Sequence, residues 1–204
     1  EVDNLLNSAV LNKEVIGISA LIYDEGSVIY KNSYGLRDRE RKSPVETDTV
    51  WRIFSMTKPV TATIIMDLQE EKKLNLSDPV SLYIPEINNM KVAKIDKNGV
   101  IKFEPQNRAI TLEDLMLHRS GMGYGIFGSE NALTSIYENA ELFYVVDKKS
   151  GVSESMEEKM TKLSKLPLLF QPGEAWYYSY SMDVLGRVAE VIEGKKLGEI
   201  MDER

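Results

Sequence analysis

The stretch that decides the fold is Trp51-Arg52-Ile53-Phe54-Ser55-Met56-Thr57-Lys58-Pro59-Val60-Thr61-Ala62. Residues 49–54, at its start, are typical of a β-strand, and residues 60–68, at its end and beyond, are largely apolar. Pro59 places a helix start close to Ser55, because proline is tolerated only in the first turn of a helix. We therefore predict a strand over residues 49–54, followed by a helix that is buried on nearly all sides. Ser55 is predicted to lie at the N-terminal end of this helix. The side chains predicted to lie in the core are Val60, Ala62, Ile64, Ile65, Met66 and Leu68.

Ser55 and Lys58 stand at positions i and i+3, which share one face of a helix. A serine hydroxyl is a weak nucleophile until a base takes its proton, and a lysine can be that base only if its pKa is lowered towards neutrality. Burial and the positive end of a helix dipole both lower the pKa of a lysine, and both are expected here. The alternative is a solvated Ser-x-x-Lys tetrad without chemistry, since such short motifs are common.

The composition excludes several classes of function. The 204 residues are 43% hydrophobic and 28% charged, which is typical of a globular protein with a substantial core. A net charge of −7 argues against binding nucleic acid or an anionic membrane, because phosphates are bound by clustered Lys and Arg. Cysteine is absent and His118 is the sole histidine, so we expect no metal and no cofactor. We also expect no membrane span, since no apolar run is long enough. The cellular compartment stays open.

The order of predicted elements is typical of an α+β fold, with strands first and helices after them. Residues 2–12 have helical spacing, and residues 15–23 and 27–34 predict a hairpin joined by Asp24-Glu25-Gly26. A second hairpin is predicted over residues 91–104, around Asn98-Gly99. Further helices are predicted over residues 111–118, 131–147, 153–166 and 181–192, the last closed by Gly194.

The N-terminal sheet is expected to be incomplete in this chain. Two main strands do not make an independent sheet, because a lone hairpin is only marginally stable in water. We therefore expect a C-terminal polypeptide or a neighbouring copy to add strands beside residues 27–34 or 15–23.

Tyr178 is a further candidate for proton transfer. It lies in Phe170-Gln171-Pro172-Gly173-Glu174-Ala175-Trp176-Tyr177-Tyr178-Ser179. A tyrosine that reaches Ser55 or Lys58 could relay a proton between nucleophile and leaving group. Taken alone, Tyr178 is more consistent with a core tyrosine whose hydroxyl is satisfied.

Three ordered motifs resemble the class C β-lactamase family in its broad sense, which includes family VIII carboxylesterases, D-alanyl-D-alanine peptidases and related serine hydrolases. They lie at residues 55–59, residues 115–122 and residues 172–179, the last followed by Leu185-Gly186. The resemblance implies a β-lactamase/transpeptidase-like fold, an antiparallel sheet flanked by helices beside an all-α region. It gives three parts: residues 1–54 with the N-terminal helix and first strands, residues 55–194 as the helical region, and residues 195–204 as the start of a C-terminal part.

The resemblance also implies roles. Ser55 would be the acylated nucleophile, Lys58 its base partner and Tyr178 the third catalytic residue. His118 lies in a stretch that we interpret as structural, so we expect it to be buried and hydrogen-bonded. Two companion-like motifs, Ser129-Glu130-Asn131 and Lys149-Ser150-Gly151, are interpreted as chance matches, because one predicted helix separates them and no strand precedes the second.

The predicted substrate-binding residues are Tyr180 and Tyr124. The family's usual Tyr-x-Asn is Tyr178-Ser179-Tyr180 here. Loss of that asparagine removes an amide that would contact a β-lactam or a peptide, which favours ester substrates. Tyr124 lies in a glycine-rich loop over residues 119–128.

The sequence thus predicts a serine hydrolase that acts through an acyl-enzyme on a small-molecule ester, amide or β-lactam. Members of the family continue into a strand that supplies a second oxyanion donor, so full activity is expected to need residues beyond 204. The alternatives are a non-catalytic penicillin-binding or sensor-type member and a scaffold that has lost the chemistry.

Overall fold

The computed structural model describes residues 1–125, 132–140, 142 and 154–204. The chain divides into two compact units, Glu1–Phe54 and Ser55–Arg204. The first combines a helix with a small sheet and the second is mainly helical, so the predicted α+β class is confirmed. The finer division into residues 1–54, 55–194 and 195–204 stays a prediction.

The first unit consists of a helix and a three-stranded antiparallel sheet. Helix α1 is Val2–Leu11, and the strands, in their order in the sheet, are β1 Gly17–Asp24, β2 Ser27–Asp38 and β3 Ser43–Pro44. The predicted helix and hairpin are confirmed, with Asp24 paired to Ser27 across the turn. Asp3 of α1 accepts hydrogen bonds from Tyr30 at 2.7 Å and Asn32 at 3.1 Å, which fixes α1 to β2.

The hairpin also carries exposed apolar side chains, and these are Leu21, Ile22, Tyr23, Val28 and Ile29. Strands added beside the hairpin by a C-terminal polypeptide or a neighbouring copy would extend this sheet. That completion stays a prediction.

The predicted strand over residues 49–54 is wrong. Residues 49–53, all of them described, are irregular, and Phe54–Met56 forms a turn of 3₁₀ helix. Val50 is 95% exposed, and Phe54 has φ +48°, in the left-handed region that an extended strand does not enter. A β-prone composition specifies a strand only where neighbours offer packing and pairing, and this run turns into a helix instead.

The second unit is organised on two packed helices, α2 Thr57–Glu70 and α6 Ser181–Glu193. The other α-helices among the described residues of this unit are α3 Leu112–Met116, α4 Ala132–Asn139, α5 Met156–Leu163 and α7 Leu197–Glu203. The predicted second hairpin is confirmed as β4 Val92–Ile95 and β5 Ile101–Glu104. Helix α7 was not predicted.

Helix α2 begins two residues after Ser55, as Pro59 predicted, but it is not buried all round. Its buried side chains, Thr61, Ile64, Ile65 and Leu68, follow the i, i+3, i+4, i+7 spacing of a single face. Ala62 is half-buried, while Val60 and Met66 are 43% and 39% exposed. The core prediction is therefore correct for one face and wrong for Val60 and Met66, which lie outside that face.

Three other helix predictions hold in type within the described residues. Helix α4 ends at Asn139, and the amide of Ala140 donates to the Tyr137 carbonyl three residues back, a tightened final turn. Helix α5 begins after Ser155, which forms a capping box with Glu158. Helix α6 ends at Gly194 with φ +67°, as predicted.

Some predictions lie outside the described residues. These are residues 141 and 143–147 of the helix predicted over residues 131–147, residues 126–128 of the glycine-rich loop, and the chance motifs at 129–131 and 149–151. Within the described ranges, every helix is too short or too polar to cross a membrane.

Helix α3 starts at a charged capping arrangement. Thr111 accepts from the Asp114 amide at 3.2 Å, and the Asp114 carboxylate accepts from the Thr111 amide at 3.0 Å. Arg108 donates two further hydrogen bonds to the same carboxylate, at 2.5 and 2.8 Å. Burial alone would raise the pKa of Asp114, but the hydrogen bonds from Arg108 and Thr111 outweigh it and hold the pKa below its ordinary value.

We expect Asp114→Asn to lower the free energy of unfolding at pH 7 by roughly 1.5–3 kcal/mol, the range for hydrogen bonds to a charged group. Because the folded pKa is depressed, this stability is present above the ordinary pKa of 3.8 and is lost as the pH falls below it. Denaturant unfolding at pH 7 and pH 3 measures the difference. The control is Glu113→Gln, an exposed carboxylate on the same helix. An equal loss at both pH values would contradict the charge-based explanation.

Candidate active site

The structure brings Ser55, Lys58 and Tyr178 together. Ser55 is exposed in the 3₁₀ turn that leads into α2, and Lys58 is half-buried in the first turn of α2. The Tyr178 hydroxyl donates to Ser55 Oγ at 2.9 Å. Lys58 Nζ lies 4.8 Å from the centroid of the Tyr178 ring and is hydrogen-bonded to the hydroxyl of Tyr178. A hydroxyl, an amine and a phenol therefore meet at one place on the second unit.

The segment that carries Tyr178 is irregular, and backbone hydrogen bonds fix it in place. The amides of Tyr177 and Tyr180 donate to the carbonyls of His118 and Gly123, at 3.0 and 3.2 Å. Between them, the amide of Ser179 donates to Nδ1 of His118 at 3.2 Å. The chain on both sides of Tyr178 is thus attached to the segment 118–123, which follows α3.

Gly121 allows this close approach. Its φ of +85° favours glycine, and a Cβ at this position would lie 2.3 Å from the carbonyl oxygen of Phe170. The amide of Leu169 donates to the Gly121 carbonyl at 2.7 Å, so the two segments are in direct backbone contact. The motif at residues 115–122 therefore serves to hold the motif at residues 172–179.

Tyr124 and Tyr180 form an aromatic cluster with Tyr178. The Tyr124 ring lies edge-on to Tyr178, with centroids 5.2 Å apart, and is tilted against Tyr180 at 4.8 Å. The Lys58 amine also lies 5.3 Å from the Tyr124 ring centroid. Tyr124 and Tyr180 are only 9% and 6% exposed, and burial raises the pKa of both hydroxyls. A direct contact of either residue with substrate stays a prediction.

The pKa of Lys58 does not shift in the direction that its burial predicted. Burial lowers it, but the hydrogen bond to Tyr178 and electrostatic interactions with Tyr124, Tyr178 and Asp183 raise it by more, so that the net shift is upwards. At neutral pH Lys58 is therefore an ammonium group. The expectation of a lysine poised near neutrality is wrong for the chain in this conformation.

Asp183 is a residue of the site that the sequence analysis missed. It lies half-buried in the first turn of α6 and interacts electrostatically with Lys58, Tyr124 and Tyr180. Burial raises the pKa of Asp183, and the charges of Lys58 and Lys159 act against that rise. The available signal was an acidic residue in the first turn of a helix, shortly after the Tyr178 motif.

His118 is 8% exposed, and its Nδ1 takes part in hydrogen bonds with the amide and hydroxyl of Ser179. The prediction of a buried, hydrogen-bonded histidine is confirmed.

Among the described residues, no group of three or more acidic, histidine or cysteine side chains is placed to hold a metal ion.

A helical unit with a serine, a lysine and a tyrosine in this arrangement defines a β-lactamase-like protein. The chain belongs to the Beta-lactamase family, whose model matches residues 2–204. It is 33% identical over 188 residues to Protein Rv1367c of Mycobacterium tuberculosis (strain ATCC 25618 / H37Rv). This match covers 92% of the present chain and 44% of that protein. It is 28% identical over 200 residues to Esterase EstB of Burkholderia gladioli. That match covers 98% of the present chain and 47% of the esterase.

A solved structure agrees with these relatives. EstCE1, described as a hydrolase with promiscuous acyltransferase activity, superposes with a TM-score of 0.78 at 28% identity, over 99% of this chain and 49% of its own. The predicted family and the β-lactamase-like fold are therefore confirmed. The chain spans about half the length of the relatives it matches.

We expect Tyr178→Phe to lower the pKa of Lys58. The substitution removes a hydrogen bond that raises this pKa and leaves the burial that lowers it. NMR titration of protein with labelled lysine side chains measures the shift, and the signal missing in Lys58→Arg identifies Lys58. Tyr83→Phe, whose hydroxyl donates instead to Asp78 at 2.8 Å, is the matched control. An unchanged Lys58 titration in Tyr178→Phe would show that this hydrogen bond is absent in solution.

Proposed function

We propose that this protein is a serine hydrolase that forms an acyl-enzyme on an ester or amide. The observation that carries the proposal is the 2.9 Å hydrogen bond from Tyr178 to Ser55, made beside the Lys58 amine. Its partners are 123 positions apart in sequence, and the fold nevertheless brings them together at the N-terminal end of α2. The names of two relatives, an esterase and a hydrolase, support the same class of reaction.

Ser55 is the nucleophile in this proposal, and Lys58 and Tyr178 together form the base. The pair must first lose one proton, because a neutral tyrosine beside an ammonium group has no free site for the proton of Ser55. Once the pair has lost one proton, Tyr178 accepts the proton of Ser55. Lys58 either stabilises the Tyr178 phenolate as an ammonium group or, as a neutral amine, accepts the proton that Tyr178 passes on.

The remaining steps follow the chemistry of acyl transfer. Ser55 Oγ bonds to the carbonyl carbon, and the bond to the leaving alcohol or amine breaks as Tyr178 returns the proton to it. A water molecule then attacks the carbonyl carbon of the acyl-enzyme and gives one proton to the same pair. The bond from that carbon to Ser55 Oγ breaks, the pair returns the proton to Oγ, and the acid leaves. Because the chain spans about half the length of its relatives, we also propose that full activity needs residues beyond 204, which would supply the second oxyanion donor.

An ester is the substrate class that this site favours. Tyr180 stands where the family resemblance places an asparagine, and its ring is buried against Tyr124. The amide that would contact a β-lactam or peptide is thus replaced by an aromatic ring. The roles of Tyr180 and Tyr124 in this proposal are to shape the apolar wall beside Tyr178.

The first test is hydrolysis of p-nitrophenyl acetate, p-nitrophenyl butyrate and nitrocefin by the full-length protein and its Ser55→Ala variant. We expect turnover of the two esters and a loss of about a thousandfold or more in Ser55→Ala, as for removal of other serine nucleophiles. Ser164→Ala, which removes a hydroxyl bonded to the Thr161 carbonyl in the last turn of α5, is the control.

Two results would redirect this proposal. A stable covalent adduct without turnover would favour the penicillin-binding or sensor-type alternative. Ester hydrolysis that survives Ser55→Ala at full rate would remove Ser55 from the mechanism.

The second test concerns the base. We expect Tyr178→Phe to lower kcat/KM about 10²–10⁴-fold, the range for a positioned acid or base. Lys58→Arg is expected to be as damaging, because a guanidinium group keeps its proton at every accessible pH. Steady-state kinetics with the better ester measure both variants, and Tyr83→Phe is the control. Near-normal activity of Lys58→Arg would rule out the lysine as part of the base.

A further inference from the structure

The Tyr178 hydroxyl donates to Ser55 Oγ, and His118 is packed directly against the Tyr178 ring. The imidazole of His118 is stacked on the Tyr178 ring, with centroids 4.9 Å apart and an interplanar angle of 21°. Tyr124 meets the same ring almost perpendicularly, at 88°. These two contacts restrict both the tilt and the rotation of the Tyr178 side chain.

A chain of buried hydrogen bonds orients His118 in turn. Ser179 Oγ lies 3.2 Å from Nδ1 of His118 and 2.7 Å from Ser181 Oγ, which lies 2.9 Å from Ser120 Oγ. The amide of Met122 donates to Ser120 Oγ at 3.2 Å and ends the chain. All three serines are fully buried. A buried hydroxyl is costly unless it is hydrogen-bonded, so the three hydroxyls and the imidazole favour one common arrangement.

The histidine is neutral in this arrangement. The amide of Ser179 donates to Nδ1, so that nitrogen carries no proton. Burial and the nearby charge of Lys58 lower the pKa of His118, which agrees with a neutral ring. His118 also has φ +53°, a left-handed conformation that few residues other than glycine adopt and that persists only when the surroundings enforce it.

We propose that His118 is a positioning residue for Tyr178. The hydrogen-bonded serines 120, 179 and 181 hold the imidazole of His118, and the phenol ring of Tyr178 lies against that imidazole. His118 acts through Tyr178 and touches neither Ser55 nor substrate in this role. The catalytic consequence rests on the proposed function, because it requires Tyr178 to exchange protons with Ser55. The structural consequence, a fixed Tyr178 ring, does not.

Two substitutions separate the ring from the hydrogen bond. His118→Asn places an amide oxygen near the position of Nδ1 and accepts left-handed backbone angles, but it removes the stacked ring. His118→Phe keeps an aromatic ring but removes the acceptor of the Ser179 amide. We expect His118→Asn to lower kcat about 10- to 100-fold, as for a misplacement of about 1 Å, with KM within about threefold and a melting temperature near that of the wild type. His118→Phe should melt lower and keep more of kcat.

A double-mutant cycle tests whether His118 acts through Tyr178. In a Tyr178→Phe background, His118→Asn should cost less than about twofold further, because no hydroxyl remains to be positioned. The same 10- to 100-fold loss in both backgrounds would overturn the proposal, as would a kcat of His118→Asn above that of His118→Phe. If His118→Asn does not fold, His118→Phe decides, and a loss of kcat as large as that of Tyr178→Phe would count against the inference.

NMR of the tyrosine rings gives a readout that is independent of catalysis. The signals of Tyr178, identified by their loss in Tyr178→Phe, should shift in His118→Asn as the stacked ring disappears. Unchanged Tyr178 signals in His118→Asn would refute the positioning role even if the protein were not a hydrolase. Conversely, shifted signals together with full ester turnover in Ser55→Ala would keep the positioning role and reject the proposed function.

Discussion

The site depends on the attachment of one irregular segment to another. The amides of Tyr177, Ser179 and Tyr180 all donate to the segment 118–123, and Tyr178 is carried between them. Irregular segments are usually the most variable part of a fold, yet here such a segment must hold a hydroxyl within hydrogen-bonding distance of Ser55. The solution is to bond both flanks of Tyr178 to a segment that directly follows α3. The short helix α3, with its charged cap, thus belongs to the support of the site.

Charge is the second constraint on the site. Lys58 is a cation near the rings of Tyr124 and Tyr178 and the carboxyl group of Asp183, and this environment favours its protonated form. Burial of the amine works in the other direction but does not prevail. Lys58 is therefore better described as one member of a proton-sharing pair with Tyr178 than as an isolated base. In such a pair, the position of the Tyr178 hydroxyl matters as much as the protonation of Lys58.

The sequence predicted local features well where residue chemistry alone decides them. Pro59 set the start of α2, Asn98-Gly99 indicated the second hairpin, and Gly194 marked the end of α6. The errors concern properties that depend on distant neighbours. The strand over residues 49–54 failed because propensity says nothing about pairing partners. The direction of the Lys58 pKa shift failed because it depends on Tyr124, Tyr178 and Asp183, none of which is near Lys58 in sequence. The meeting of Ser55 with Tyr178 was reached through motif resemblance and not through spacing.

Gly121 and Gly194 show two different ways in which a position loses evolutionary freedom. Both have positive φ, but a Cβ at Gly194 would meet nothing within 4 Å, whereas one at Gly121 would lie 2.3 Å from the Phe170 carbonyl oxygen. Position 194 is restricted by its own backbone angles alone, so asparagine is an acceptable substitute there. Position 121 is restricted by a second chain segment as well. Asparagine is therefore tolerated at the end of α6, while position 121, where the segment that leads to Tyr178 is attached, must keep a residue without a side chain.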